Sequence, residues 1–225
     1  MFLLDSLKGS GFSWRAALSL AVASDRSYSE EKVIKEIAIA RWGFTTVEFI
    51  NEGDTQGLIA ATSDVMLIAF RGTESLGDWI GNIQITQVTR PYGEVHEGFF
   101  DDFDVVRAQV ARAISIAQTA GKKIWICGHS LGGTLAAIAA AELAIPAMVS
   151  GIYTYGQPRS WDGVAKGFFA EKYSGRFFRF VNDDDVVTML PPGFDHAGSL
   201  IHFDASGNIE ERQFESHEAA NDRQP

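Results

Sequence analysis

Apolar and polar positions follow two different rhythms along this chain, and each change of rhythm marks an element. Helical spacing opens it, over Trp14 to Arg26 and again over Glu30 to Arg41, with Gly43 closing the second helix. Strand patterning takes over in Thr45 to Ile50 and Gly57 to Thr62, joined by the turn-rich Asn51-Glu52-Gly53-Asp54. Val65 to Phe70 is apolar at every position, the pattern of a strand buried on both faces within a parallel sheet. Asp101 to Ala120 predicts one long helix, acidic at its start and closed by Gly121. Lys123 to Cys127 is a second short buried strand. Thr134 to Ala144 is alanine-rich with almost no polar face, so that helix is expected tight against the sheet. Gly151 to Tyr155 and Arg176 to Val181 are strands on either side of a helix at Gly163 to Tyr173. Leu200 to Asp204 and Asn208 to Arg212 read as a closing hairpin.

Strand and helix alternate through the middle of the chain. That order predicts an α/β fold: a central, mostly parallel sheet, helices on both faces, and antiparallel edge strands from the pairs at each end. The 225 residues contain no internal repeat and no low-complexity linker, which predicts one domain over 1–225.

Composition narrows the partners. A net charge of -10 opposes nucleic-acid binding, which needs a Lys/Arg surface. It also opposes electrostatic docking on anionic lipid, while leaving hydrophobic contact with neutral lipid open. Cys127 is the single cysteine, so no internal disulfide forms; this suits a reducing compartment without deciding export. No apolar run approaches the ~20 residues of a membrane span. Ala16 to Ala23 could pass for the apolar core of a signal peptide. Asp5 before it and the continuation into Ser24-Asp25-Arg26-Ser27-Tyr28 favour a first amphipathic helix instead.

The candidate chemistry centres on Gly128-His129-Ser130-Leu131-Gly132. Gly-x-Ser-x-Gly alone is a modest signal, but here it follows a buried strand and opens a helix, as the nucleophile elbow of an α/β-hydrolase-type fold requires. The helix N-terminus behind Ser130 offers free N–H groups, and the N–H of Leu131 is the natural first donor to an oxyanion. A serine nucleophile needs a base and an orienting acid. The strand ending at Val181 leads into Asn182-Asp183-Asp184-Asp185, where the acid is expected. Among the five histidines, His129 lies in the elbow and is expected to pack below the turn. His96 precedes the acid, the wrong order for this fold, and His202 sits within a strand. His196 and His217 remain.

These residues resemble the class 3, fungal-type lipases. Phe70-Arg71-Gly72-Thr73 is similar to that family's central strand and second oxyanion donor. Glu74 to Asn82 is similar to its lid and anchoring segment. Val95 to Phe99, Gly128 to Gly133, Tyr153 to Arg159 and Val186 to Pro192 follow as family blocks in the family's order. The resemblance implies Ser130 as nucleophile, with Thr73 and Leu131 forming the oxyanion hole. It places the acid two residues before the valine of Val187-Thr188-Met189-Leu190-Pro191-Pro192, which selects Asp185 over Asp184. It places the base after the closing hairpin, which selects His217 over His196. The sequence departs from the family here, since only eight residues follow His217. Leu76, Trp79 and Ile80 recur at helical spacing, and the resemblance makes them lid and substrate-binding residues.

The expected function is a serine carboxylic-ester hydrolase, a lipase for acylglycerols that works at an oil–water interface. The alternatives are an esterase for soluble or feruloyl-type aromatic esters, and a lipase-like binding or signalling protein without catalysis. The chemistry requires no cofactor and no metal, and the chain lacks both His-Glu-x-x-His and a phosphate-cradling loop ending in Lys.

Overall fold

The computed structural model describes residues 1–73 and 85–213. Among these, the strands are Thr46–Glu52 (β1), Thr55–Ala61 (β2), Val65–Phe70 (β3), Gln87–Arg90 (β4), Gly93–His96 (β5), Lys123–His129 (β6), Val149–Tyr155 (β7), Phe177–Asn182 (β8), Ser199–Phe203 (β9) and Ile209–Gln213 (β10). The helices are Trp14–Arg26 (α1), Glu31–Ala40 (α2), Glu97–Asp104 (α3), Arg107–Thr119 (α4), Leu131–Leu143 (α5) and Gly163–Lys172 (α6).

One eight-stranded sheet, in the order β1-β2-β3-β6-β7-β8-β9-β10, carries the fold, and β4 and β5 form a separate hairpin. The run from β3 through β9 is parallel, while β1, β2 and β10 are antiparallel additions at its two edges. This is the mostly parallel α/β-hydrolase sheet with antiparallel edges that the strand patterning predicts.

The uninterrupted apolar run of β3 is explained by its position. All six of its side chains are buried, and they divide between two cores. Met66, Ile68 and Phe70 face the core built with α3, α4, α5 and α6. Val65, Leu67 and Ala69 face the core beneath α1 and α2. Helix α5 buries every residue from Leu131 to Ala140, so its lack of a polar face reflects contact on all sides.

One expectation needs correction, and one element is new. The single helix over Asp101 to Ala120 is two helices, broken at Val105 and Val106, and the first begins earlier, at Glu97. The break lets Val106 turn into the core at 1% exposure while Val105 faces solvent at 54%. Phe99, Phe100 and Phe103 of α3 can then pack separately from Val110, Ile114 and Ala117 of α4. The hairpin of β4 and β5 has no counterpart in the sequence reading. His96 ends it and caps α3, its Nδ1 accepting the N–H of Phe99 at 3.3 Å. Glu142 of α5 holds the hairpin down: Arg90 donates to both of its carboxylate oxygens at 2.8 Å, and Arg107 donates to one of them at 2.5 Å. No helix among the described residues is long and apolar enough to cross a membrane.

Candidate active site

Ser130 is the single residue between β6 and α5, and the turn it makes is tight. Its backbone has φ 55° and ψ -129°, a positive φ that carries a side-chain penalty of ~1–2 kcal/mol for a non-glycine residue. Neighbouring bonds hold it there. The N–H of Ser130 donates to the carbonyl of Tyr155 at 2.9 Å, and the N–H of Gly133 donates to the carbonyl of Ser130 at 2.9 Å. Gly128 and Gly132 make the turn possible, because a Cβ on Gly128 would lie 2.1 Å from the carbonyl oxygen of Gly132. The serine is 3% exposed, and its hydroxyl has no hydrogen-bond partner among the described residues. A buried hydroxyl without a partner is uncommon in a folded protein, and it matches a nucleophile whose base comes from elsewhere.

The two oxyanion candidates are near Ser130, Leu131 in the chain and Thr73 on the same cavity. Leu131 opens α5, where a first-turn N–H has no acceptor within the helix. Thr73 follows β3 and shares a cavity wall with Ser130. Gly72 is what permits this approach. A Cβ there would stand 2.6 Å from the carbonyl oxygen of His129 and 3.1 Å from the Cβ of Ser130.

Asp185 is half-buried, whereas Asp183 and Asp184 are exposed. Its Oδ1 accepts the N–H of Val187 at 3.0 Å, and its backbone carbonyl accepts both the N–H and the hydroxyl of Thr188. Its Oδ2 rests over Gly156, where a Cβ would approach to 2.7 Å. The same position would place that Cβ 3.6 Å from Nε2 of His129, so Gly156 brings the acid and the elbow together.

Two cavities meet along this row. One of about 410 Å³ runs from Asp185 and Gly156 past Phe180 and Phe203 to Trp14 and Leu18 of α1. The other, of about 500 Å³, lies over Ser130 and Thr73 and is closed by Tyr28, Ser24 and Asp25. They share Ala21, His129 and Tyr155.

His129 does not tuck below the turn as expected. It is exposed on the wall of both cavities, with Nδ1 2.9 Å from the hydroxyl of Tyr28. Desolvation by the protein around the ring holds its pKa below the ordinary histidine value, against the pull of Asp185 and Asp25. Tyr28 is a site residue that the sequence reading missed. It also accepts the N–H of Gly72 at 3.0 Å, and a lone tyrosine just past a helix gives no pattern that announces this.

His196 lines neither cavity. Its Nε2 lies 2.7 Å from the carbonyl of Thr188, and burial together with nearby Arg179 pushes its pKa down to about 3. His202 Nε2 lies 3.0 Å from the carbonyl of Asp183. His217, Leu76, Trp79 and Ile80 lie outside the described residues.

Comparison with known proteins now decides the family. The description "Lipase (class 3)" matches residues 67–194. The chain belongs to the class 3 lipase family. Within it, the chain is 36% identical over 135 residues to secreted mono- and diacylglycerol lipase 1 of Fusarium solani, a match covering 56% of this chain and 39% of that protein. It is 31% identical over 160 residues to a lipase of Rhizomucor miehei, covering 64% of this chain and 44% of that one. The chain therefore spans less than half the length of these curated relatives. Among solved structures, the Rhizomucor miehei lipase–propeptide complex with a two-residue deletion superposes with a TM-score of 0.70 at 25% identity, covering 87% of this chain and 69% of that chain. Lipase II of Rhizopus niveus shares the class 3 lipase fold with a TM-score of 0.73 at 21% identity, covering 92% and 89% of the two chains.

Proposed function

We propose that this chain is a carboxylic-ester hydrolase acting on acylglycerols through a Ser130–His217–Asp185 triad. The observation that carries the reading is Ser130 itself: positive φ, a buried hydroxyl with no partner among the described residues, and a helix N-terminus directly behind it. In this reading His217 takes the hydroxyl proton as Ser130 attacks the ester carbonyl, and Asp185 orients the imidazole and stabilises its charged form. The N–H groups of Thr73 and Leu131 stabilise the tetrahedral oxyanion, commonly the largest single contribution in acyl transfer. The alcohol leaves with the proton from His217. Water then attacks the acyl-enzyme by the reverse route and releases the acid.

The substrate class rests on the surroundings of the serine. Apolar residues dominate the cavity beside Asp185, which suits an acyl chain better than a charged or sugar-bearing ester. The relatives named above are lipases, one of them for mono- and diacylglycerols. Leu76, Trp79 and Ile80 serve as the lid over that cavity in this proposal. The test is hydrolysis of a monoacylglycerol, a triacylglycerol emulsion and short- and long-chain p-nitrophenyl esters by wild type and Ser130→Ala. Long-chain preference that vanishes in Ser130→Ala supports the proposal; short-chain preference makes the chain an esterase, and an inactive wild type removes the catalytic reading.

A further inference from the structure

The apolar cavity beside Asp185 is a trough with an ordered floor. His129, Tyr155, Phe180 and Phe203 line it, one from each of the four neighbouring strands β6, β7, β8 and β9. Tyr155 and Phe180 pair across β7 and β8, and their rings stack at 5.0 Å between centroids. Phe180 and Phe203 continue the row with nearly parallel rings at 6.4 Å. Three strand gaps of ~4.8 Å make this floor ~14 Å long. Helix α1 is the wall, through Trp14, Ala17, Leu18 and Ala21, which share one helical face. Trp14 is 45% exposed and Leu18 53%, although the helix otherwise builds core. Large apolar side chains left open around one groove mark a binding surface.

The wall changes in size along its length. Ala21 is small and also borders the serine cavity, and α1 runs on from it to Ser24 and Asp25 beside Ser130. Seven residues and ~10 Å back along the helix stands Trp14. Its ring lies 6.2 Å from Phe203 and 6.4 Å from Phe180, and it packs edge-on against Phe12 at 4.9 Å. Two tyrosine hydroxyls fix the width. Tyr155 donates to the carbonyl of Ala17 at 2.5 Å. Tyr153 donates to the carbonyl of Gly11 at 2.8 Å and accepts the N–H of Ser13 at 3.1 Å. The trough is therefore preformed, continuous with the serine cavity at one end and blocked by an indole at the other.

We propose that Trp14 is the end stop of this trough and sets the length of acyl chain that the ester can carry. The proposal rests on Ser130 acting as the nucleophile, and it adds a ceiling to the substrate. A methylene group takes up about the volume of a water molecule in the liquid, ~30 Å³. A trough of about 410 Å³ then holds on the order of a dozen carbons. Chains up to that length bury each added methylene against Tyr155, Phe180 and Leu18. A longer chain must displace the indole or leave its last carbons in water, and gains nothing from them.

Two readouts on the full chain test it. Calorimetric titration of Ser130→Ala with linear fatty acids of six to sixteen carbons, kept below micelle formation, reads the trough without hydrolysis. Affinity is expected to rise about fourfold per added methylene, to level off near twelve carbons, and to level off earlier when Leu18→Trp narrows the wall. Adding Trp14→Ala should let the rise continue, so that the sixteen-carbon acid binds about tenfold tighter or more than it does with Trp14 in place. With Ser130 intact, kcat/KM on p-nitrophenyl esters of the same lengths should shift in the same direction. A binding profile that Trp14→Ala leaves unchanged would overturn the end stop, whatever the hydrolytic activity. A shifted binding profile in a chain that hydrolyses no ester would keep the end stop and discard the nucleophile. Ser130-dependent hydrolysis whose chain-length profile ignores Trp14 would keep the nucleophile and discard the end stop. Tighter binding of cinnamic acid than of decanoic acid would also overturn it, by giving the trough to aromatic acids.

Discussion

The hydroxyl of Tyr28 lies 2.9 Å from Nδ1 of His129, and the same oxygen accepts the N–H of Gly72 at 3.0 Å. His129 precedes the nucleophile, and Gly72 precedes Thr73. One side chain from beyond α1 therefore ties together the ends of β3 and β6, which carry the two halves of the proposed oxyanion hole. Tyr28→Phe keeps the ring and removes the tie. At ~1 kcal/mol for a neutral hydrogen bond, kcat for ester hydrolysis should fall roughly fivefold with little change in KM. Steady-state kinetics on a soluble ester checks this.

Gly72→Ala tests the same junction from the backbone. The added Cβ would meet the Tyr28 hydroxyl at 2.5 Å and the His129 carbonyl at 2.6 Å, and the carbonyl belongs to the elbow and cannot swing aside. The end of β3 must move away from Ser130. A loss of about 1–3 kcal/mol in stability is expected, as for other overpacked sites. The loss in kcat should exceed that of Tyr28→Phe, because Thr73 moves with its neighbour. Urea unfolding and kinetics on the same sample separate the two effects.

His196 predicts a pH dependence of stability rather than of chemistry. Burial holds its folded pKa at about 3, below the unfolded value of 6.5, so the unfolded chain binds the extra proton between those values. Stability from this group is therefore intact above pH 6.5 and declines as the pH falls towards 3. The slope reaches about 1.4 kcal/mol per pH unit. His196→Gln keeps a donor for the Thr188 carbonyl and removes the titration. Thermal unfolding at pH 7 and pH 4.5 should show a smaller acid loss in the variant than in wild type, and its activity at pH 7 should remain far above that of a triad variant.

Glu142→Gln removes the charge that Arg90 and Arg107 share. The Glu142 side chain is 5% exposed, so two guanidinium groups lose a buried partner, and the expected cost is about 3 kcal/mol. The hairpin of β4 and β5 should loosen first, seen as faster amide exchange at Val88 and Val95, while a soluble ester is still turned over once the chain is folded.

What the sequence made legible follows from where the information lies. The run Val65 to Phe70 has no alternation because both of its faces are buried, and that pattern alone places it inside the sheet. The elbow is legible because a turn this tight needs glycine two positions before and two positions after its serine, at Gly128 and Gly132. The break at Val105 and Val106 is not legible, since both residues fit a helical apolar stripe and only the packing of α3 against α5 separates them. The hairpin of β4 and β5 is too short for its alternation to stand out, and it is held by the distant Glu142. Tyr28 is invisible for the same reason: its partners lie 44 and 101 residues away, at Gly72 and His129. Asp185 needed the family resemblance to separate it from Asp184; in the fold, Asp185 is the half-buried one that borders the cavity.

The most direct test of the central claim is kcat/KM on one p-nitrophenyl ester for wild type, Ser130→Ala, Asp185→Asn, His217→Ala and His196→Ala. Loss of a true triad member should cost on the order of 1,000-fold or more. The account predicts that loss for Ser130→Ala and His217→Ala, a large loss for Asp185→Asn, and near wild-type turnover for His196→Ala. An active His217→Ala beside an inactive His196→Ala would contradict it.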